Sequence, residues 1–129
     1  MVTRSVHILV IEDEAIIAMT LRNMLSKTNY HVIGPFARLK QANAALDTEH
    51  VDLAVLDVRL GETDVFPLAA TLTERKIPFV FVTGYGSQVL PQEFADKPCL
   101  SKPFREPELL ILIDDLLKSQ RTPKGTAVS

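Results

Sequence analysis

Four times along this chain a short apolar run ends abruptly on a polar residue. Ile8-Leu9-Val10-Ile11 precedes Glu12-Asp13, and Val51 to Leu56 leads into Asp57. Phe79-Val80-Phe81-Val82 leads into Thr83, and Cys99-Leu100-Ser101 into Lys102. Short apolar runs of this kind read as parallel strands buried on both faces, with the polar residue emerging at the sheet edge.

Helical spacing fills the intervals. Ile16, Ile17, Met19, Leu21, Met24 and Leu25 follow the first run, with Arg22 and Lys27 left to face solvent, and Met19 and Met24 read as core fillers. His31-Val32-Ile33 is a second strand ended by Gly34-Pro35, and Leu39, Ala42, Ala45 and Leu46 mark a second helix. A polar loop with Gly61 follows Asp57. Pro67 then suits the first turn of a helix carrying Leu68, Ala69 and Leu72. Ser87 to Lys97 has little periodicity and contains Pro91, so a short, irregular or mobile helix is expected there. Glu106-Pro107-Glu108 opens a last helix, its acids matching the positive helix start. Strands alternating with helices imply an α/β fold. Right-handed crossovers leave a five-stranded, doubly wound parallel sheet in the order 2-1-3-4-5 as the expected topology.

At 129 residues the chain is expected to be a single domain over residues 1–120, with a polar, disordered tail over 121–129. A net charge of −2 provides no sequence-wide basic footprint for nucleic acid. No apolar stretch is long enough for a membrane span, and the start has no signal-peptide layout. One cysteine, Cys99, cannot form an internal disulfide, and it reads as a small buried hydrophobe. A cytoplasmic location is therefore expected. His7, His31 and His50 are dispersed, without ligand-like spacing, and read as surface or strand-end residues.

Ligands of open α/β sheets bind outside the carboxyl ends of the strands, where Glu12, Asp13, Asp57, Thr83 and Lys102 would gather. Taken singly, each has a bland reading as a capping, turn or solvated residue. Taken together, three carboxylates, a hydroxyl and an ammonium group fit a cation-dependent phosphoryl site. Mg²⁺ uses one or two protein carboxylates plus substrate oxygens, and Glu12, Asp13 and Asp57 supply such donors. A carboxylate can attack phosphorus to form an aspartyl phosphate, and Asp57 is placed for that. Lys102, restrained by Pro103, would pair with phosphoryl oxygens, and Thr83 would donate its hydroxyl.

In this order and spacing, with Lys102-Pro103-Phe104, the chain from about Val6 to Leu117 resembles the receiver domain of two-component response regulators. The resemblance implies a flavodoxin-like receiver fold and phosphoryl transfer from a phosphohistidine to Asp57. It implies Mg²⁺ (or Mn²⁺) on Asp13, Asp57 and the backbone carbonyl of Arg59, with Glu12 acting through water, and phosphoryl contacts from Thr83 and Lys102. Pro78 to Gly86 is similar to the Phe-Ala-Thr-Gly-hydrophobe-Tyr motif of mostly stand-alone receivers, with Val82 in place of Ala. Three positions depart from the commoner pattern. Cys99 replaces a switching aromatic, for which Tyr85 is a substitute; Gly84 follows the site threonine; and Arg59 lies two past the phosphoacceptor, where it would shield the acyl phosphate.

No output domain is expected after Leu117. The implied role is a signalling protein rather than an enzyme. It would be partnered by a sensor histidine kinase or a histidine phosphotransfer protein, with a target on the face of the fourth and fifth strands. Neither nucleic acid nor membrane is an expected partner, and the chain is expected to be a monomer or weak dimer. The alternatives are a phosphorylation-independent binding module and an Asp-nucleophile phosphohydrolase of the haloacid-dehalogenase type. The latter wants an acid two residues after the nucleophile, where Arg59 stands. A flavodoxin-like mononucleotide binder is disfavoured, because Glu12-Asp13-Glu14 would repel phosphate unless a cation intervened.

Overall fold

The computed structural model describes residues 5–84 and 90–121. β1 (His7–Ile11), α1 (Ala15–Ser26), β2 (His31–Phe36), α2 (Leu39–Thr48) and β3 (Leu53–Asp57) form the first half. A small hairpin, β4 (Arg59–Leu60) with β5 (Thr63–Asp64), leads to α3 (Phe66–Glu74) and β6 (Phe79–Thr83). A 3₁₀ turn at Gln92–Phe94, β7 (Cys99–Ser101) and α4 (Glu106–Arg121) complete it. The main sheet has five strands, all parallel, in the order β2-β1-β3-β6-β7. This is the expected doubly wound topology.

Side-chain alternation shows why the sheet carries helices on both faces. Leu9, Ile11, Ala54, Leu56, Phe79 and Phe81 pack with Leu46 of α2 and Leu68 and Leu72 of α3. The intervening residues Ile8, Val10, Leu53, Val55, Val80 and Val82 pack with Leu21 and Leu25 of α1 and Leu109 and Ile113 of α4. The continuous apolar runs therefore encode two cores, one on each side of a single sheet. The expected core assignment of Met19 fails: Met19 is 63% exposed and Ile16 81%, while Met24 is 6% exposed. At 100° per residue, Ile16 and Met19 lie on the side of α1 away from Leu21, Met24 and Leu25. Cys99 is half-buried rather than enclosed.

β2 does not end at Gly34-Pro35. It continues to Phe36, past a register shift against β1, and the Phe36 carbonyl accepts the Glu12 amide at 2.9 Å. Gly34 makes this possible. Its φ is +102°, and a Cβ there would lie 2.8 Å from both the Phe36 nitrogen and the Val10 oxygen. Gly34→Ala is expected to destabilise the fold by roughly 1–3 kcal/mol, read as a lower urea midpoint at unchanged slope.

The weakly periodic stretch before β7 contains, among the described residues, only the three-residue 3₁₀ turn. Phe94 anchors it, 4% exposed, within an aromatic cluster with Phe66, Phe79 and Phe81 at centroid distances of 5.8–6.3 Å. Tyr85 lies outside the described residues, as does the expected tail from residue 122.

Candidate functional site

Strand register builds the site. Ile11 pairs with Leu56, Asp57 with Val82, and Thr83 with Ser101, so the residues that close β1, β3, β6 and β7 meet at one sheet edge. Glu12, Asp57 and Thr83 are 2%, 5% and 1% exposed. The carboxylate oxygens of Glu12, Asp13 and Asp57 lie within 4.8 Å of one another, an all-oxygen donor set suited to a hard divalent cation. Asp13 is aimed by the hairpin after β3: the Gly61 amide donates to its Oδ2 at 2.9 Å, and Gly61 holds that amide with φ +63°. In the sequence Gly61 was only a loop residue, and nothing in its immediate neighbours marks it as a partner of Asp13.

Lys102 enters from the far side. Its Nζ is 3.1 Å from Glu12 Oε1, 3.2 Å from Glu14 Oε1 and 3.5 Å from Asp57 Oδ1. The Lys102 amide also donates to the Thr83 carbonyl at 2.8 Å, tying the lysine to the end of β6. Glu14 was not among the expected site residues, although its place beside the acidic pair was the available signal. It also donates its amide to Glu12 Oε2 at 3.1 Å.

The electrostatics follow from packing carboxylates out of water. Burial, then the hydrogen bond and charge of Glu12, push Asp57 up to about 8, with Asp13 adding and the Lys102 ammonium opposing. For Lys102, burial acts to lower the pKa, but Glu12, Asp57 and Glu14 outweigh it and the net direction is up. Burial also raises the Cys99 thiol. A divalent cation among the carboxylates would reverse the balance at Asp57.

A cavity of about 420 Å³ opens over this cluster, lined by Asp13, Glu14, Asp57, Arg59, Gly61, Gly84 and Lys102. Arg59 is exposed at its rim. A Cβ at Gly84 would meet nothing within 4 Å. Thr83 is buried beside the cavity rather than lining it.

The response regulator receiver domain family matches residues 8–114, a span that contains Glu12, Asp13, Glu14, Asp57, Arg59, Gly61, Thr83, Gly84 and Lys102. The chain belongs to this family. The receiver is 27% identical over 112 residues to the transcriptional regulatory protein PdtaR of Mycobacterium tuberculosis, covering 84% of this chain and 55% of PdtaR. It thus spans about half the length of the curated relatives it matches. The solution structure of SdrG from Sphingomonas melonis superposes with a TM-score of 0.78 at 35% identity, over 88% of this receiver and 97% of SdrG. The BeF3-activated conformation of SdrG from Pseudomonas melonis superposes with a TM-score of 0.74 at 36% identity, over 86% of this receiver and 95% of that chain. Among the described residues, no helix of the receiver is long and apolar enough to cross a membrane.

Proposed function

We propose that this chain is a receiver, one domain over residues 1–120, that takes a phosphoryl group from a phosphohistidine onto Asp57 in the cytoplasm. The observation that carries the reading is the Asp57 carboxylate at the floor of a cavity, flanked by Glu12 and Asp13 and paired with Lys102. An Asp57 oxygen attacks phosphorus as the P–N bond to the donor imidazole breaks. The electron pair leaves with the imidazole nitrogen, which takes up a proton, and an acyl phosphate remains on Asp57.

Asp13, Asp57 and the Arg59 carbonyl would hold Mg²⁺ or Mn²⁺, with Glu12 acting through water; the bound ion offsets the repulsion between carboxylate and phosphoryl group. Lys102 exchanges its carboxylate partners for a phosphoryl oxygen, and the Thr83 hydroxyl reaches another by turning toward the cavity. With Cys99 in place of an aromatic on β7, the switch runs through Thr83 and the Gly84-Tyr85 segment. The face of β6 and β7 presents the result to a protein target, or the acyl phosphate on Asp57 gives its phosphoryl group to the imidazole of a histidine phosphotransfer protein and Asp57 is regenerated. The partners are a sensor histidine kinase or a histidine phosphotransfer protein, and the chain works as a signalling protein, not a turnover enzyme. SdrG, similar over most of the chain, has a BeF3-activated conformation, which supports the reading.

Incubation with acetyl phosphate and Mg²⁺, followed by intact mass, tests it. One phosphoryl adduct is expected in the wild type and none with EDTA or in Asp57→Asn. If phosphorylated histidine kinase also yields no adduct, the chain is a binding module alone. Turnover of small phosphate esters would indicate a phosphohydrolase. Arg59→Ala is expected to shorten the phosphoryl lifetime several-fold, measured by adduct decay after donor removal, because the rim guanidinium shields the acyl phosphate from water.

A further inference from the structure

The opposite edge of the sheet holds a second cluster of ligating side chains. Parallel pairing sets His7 of β1 against His31 of β2, and their ring centroids are 4.6 Å apart. The loop between α2 and β3 brings His50 to 6.0 Å from His7 on the same ring-centroid measure. Asp52 joins them: its Oδ2 accepts the His7 amide at 2.8 Å and its Oδ1 lies 2.7 Å from His50 Nε2. Residues dispersed along the sequence therefore converge because β1 lies between β2 and β3, and both neighbours begin at this edge.

We propose that His7, His31, His50 and Asp52 form a site for a borderline divalent transition-metal ion such as Zn²⁺. Three imidazoles and one carboxylate are a donor set for Zn²⁺, Ni²⁺ or Cu²⁺, unlike the all-oxygen set at the other edge. Two imidazoles on one tetrahedral ion, with metal–nitrogen bonds of about 2.0–2.1 Å, put their ring centres about 5 Å apart. The observed 4.6 and 6.0 Å bracket that spacing. A second observation is independent of spacing. His7 Nδ1 is shut off from solvent and has no hydrogen-bond partner, a state that native buried nitrogens rarely keep unless an ion or water fills it. Among the described residues, Glu12, Asp13 and Asp57 are the one group whose ligand atoms already lie within 4.8 Å of one another, so the histidine rings would turn to bring their nitrogens onto an ion. His31 and His50 are both exposed, so rotation of their rings onto an ion meets little packing resistance. Bound there, the ion would join β1, β2 and the approach to β3 without touching the phosphorylation cavity.

The test is calorimetric titration of Zn²⁺ into the tag-free full chain in millimolar Mg²⁺, which occupies the oxygen site. One Zn²⁺ per chain is expected in the wild type and in the Asp13→Asn/Asp57→Asn variant. His31→Ala and His50→Ala are each expected to weaken binding about tenfold or more, and the two together to abolish it. Both positions are exposed, so the variants keep the wild-type melting curve and the acetyl phosphate reaction. No Zn²⁺ uptake by the wild type, equal affinity in the double histidine variant, or loss of binding in Asp13→Asn/Asp57→Asn would each overturn the proposal. Because the readout is Zn²⁺ binding, its failure leaves the phosphorylation reading intact, and the reverse also holds.

Discussion

Asp57→Asn is expected to abolish phosphorylation and also to leave the cation-free protein more stable than the wild type at pH 8. The Asp57 carboxyl sits at about 8 in the folded chain against an ordinary value of 3.8, chiefly because it is buried and next because Glu12 is beside it. A group whose pKa is raised by folding carries its full stabilising share below the unfolded value. That share is lost as pH rises from about 4 through 8, because the unfolded chain ionises freely while the folded chain resists. A tenfold change in acid dissociation is worth about 1.4 kcal/mol, so the penalty at pH 8 is on the order of a few kcal/mol. Urea unfolding at pH 5 and pH 8 in EDTA should show the wild type weakening across this window, and Mg²⁺ restoring it. The Asn variant should have a flatter profile and little response to Mg²⁺. Parallel profiles for the two proteins would contradict this account of the site.

Lys102→Ala is expected to harm both stability and phosphotransfer. Glu12 has a side chain at 0% exposure and relies on Lys102 Nζ at 3.1 Å, with that lysine side chain itself 14% exposed. Removing one partner of a buried pair leaves the other charge uncompensated, at a cost of about 3–5 kcal/mol. The penalty should shrink when Glu12→Gln is combined with it, which a double-mutant cycle by urea unfolding measures. The rate with acetyl phosphate should fall by about a hundredfold, since a preorganised charge facing the transferring group is lost. A variant with wild-type rate would place the phosphoryl contact elsewhere.

The fold was legible because its central strands are buried on both faces, which no polar alternation interrupts. Asp57 stood out for the same reason, since a polar side chain directly after such a run emerges at the edge, whereas Lys102, after the edge strand β7, stood out through Pro103. What the sequence concealed depends on register and backbone conformation. The continuation of β2 through Gly34-Pro35 rests on a positive φ and a register shift that a Gly-Pro pair disguises as a stop. Met19 was grouped with the apolar residues of α1 yet faces solvent, because at 100° per residue it falls on the side away from Leu21, Met24 and Leu25. The Gly61 amide on Asp13 and the Glu14 contact with Lys102 arise from loop geometry that spacing does not encode. The histidine cluster was hidden altogether, since strand order alone brings positions 7, 31 and 50 together.

The most direct test of phosphoryl transfer to Asp57 is chemical trapping of the product. The chain is incubated with a phosphohistidine donor and Mg²⁺, then reduced with borohydride, which converts an acyl phosphate to the corresponding alcohol, and mapped by peptide mass spectrometry. Homoserine at position 57, absent when Mg²⁺ is withheld, is the expected result. An unmodified Asp57 in a chain that nonetheless carries phosphate, or reduction at Glu12, Asp13 or another carboxylate, would contradict it.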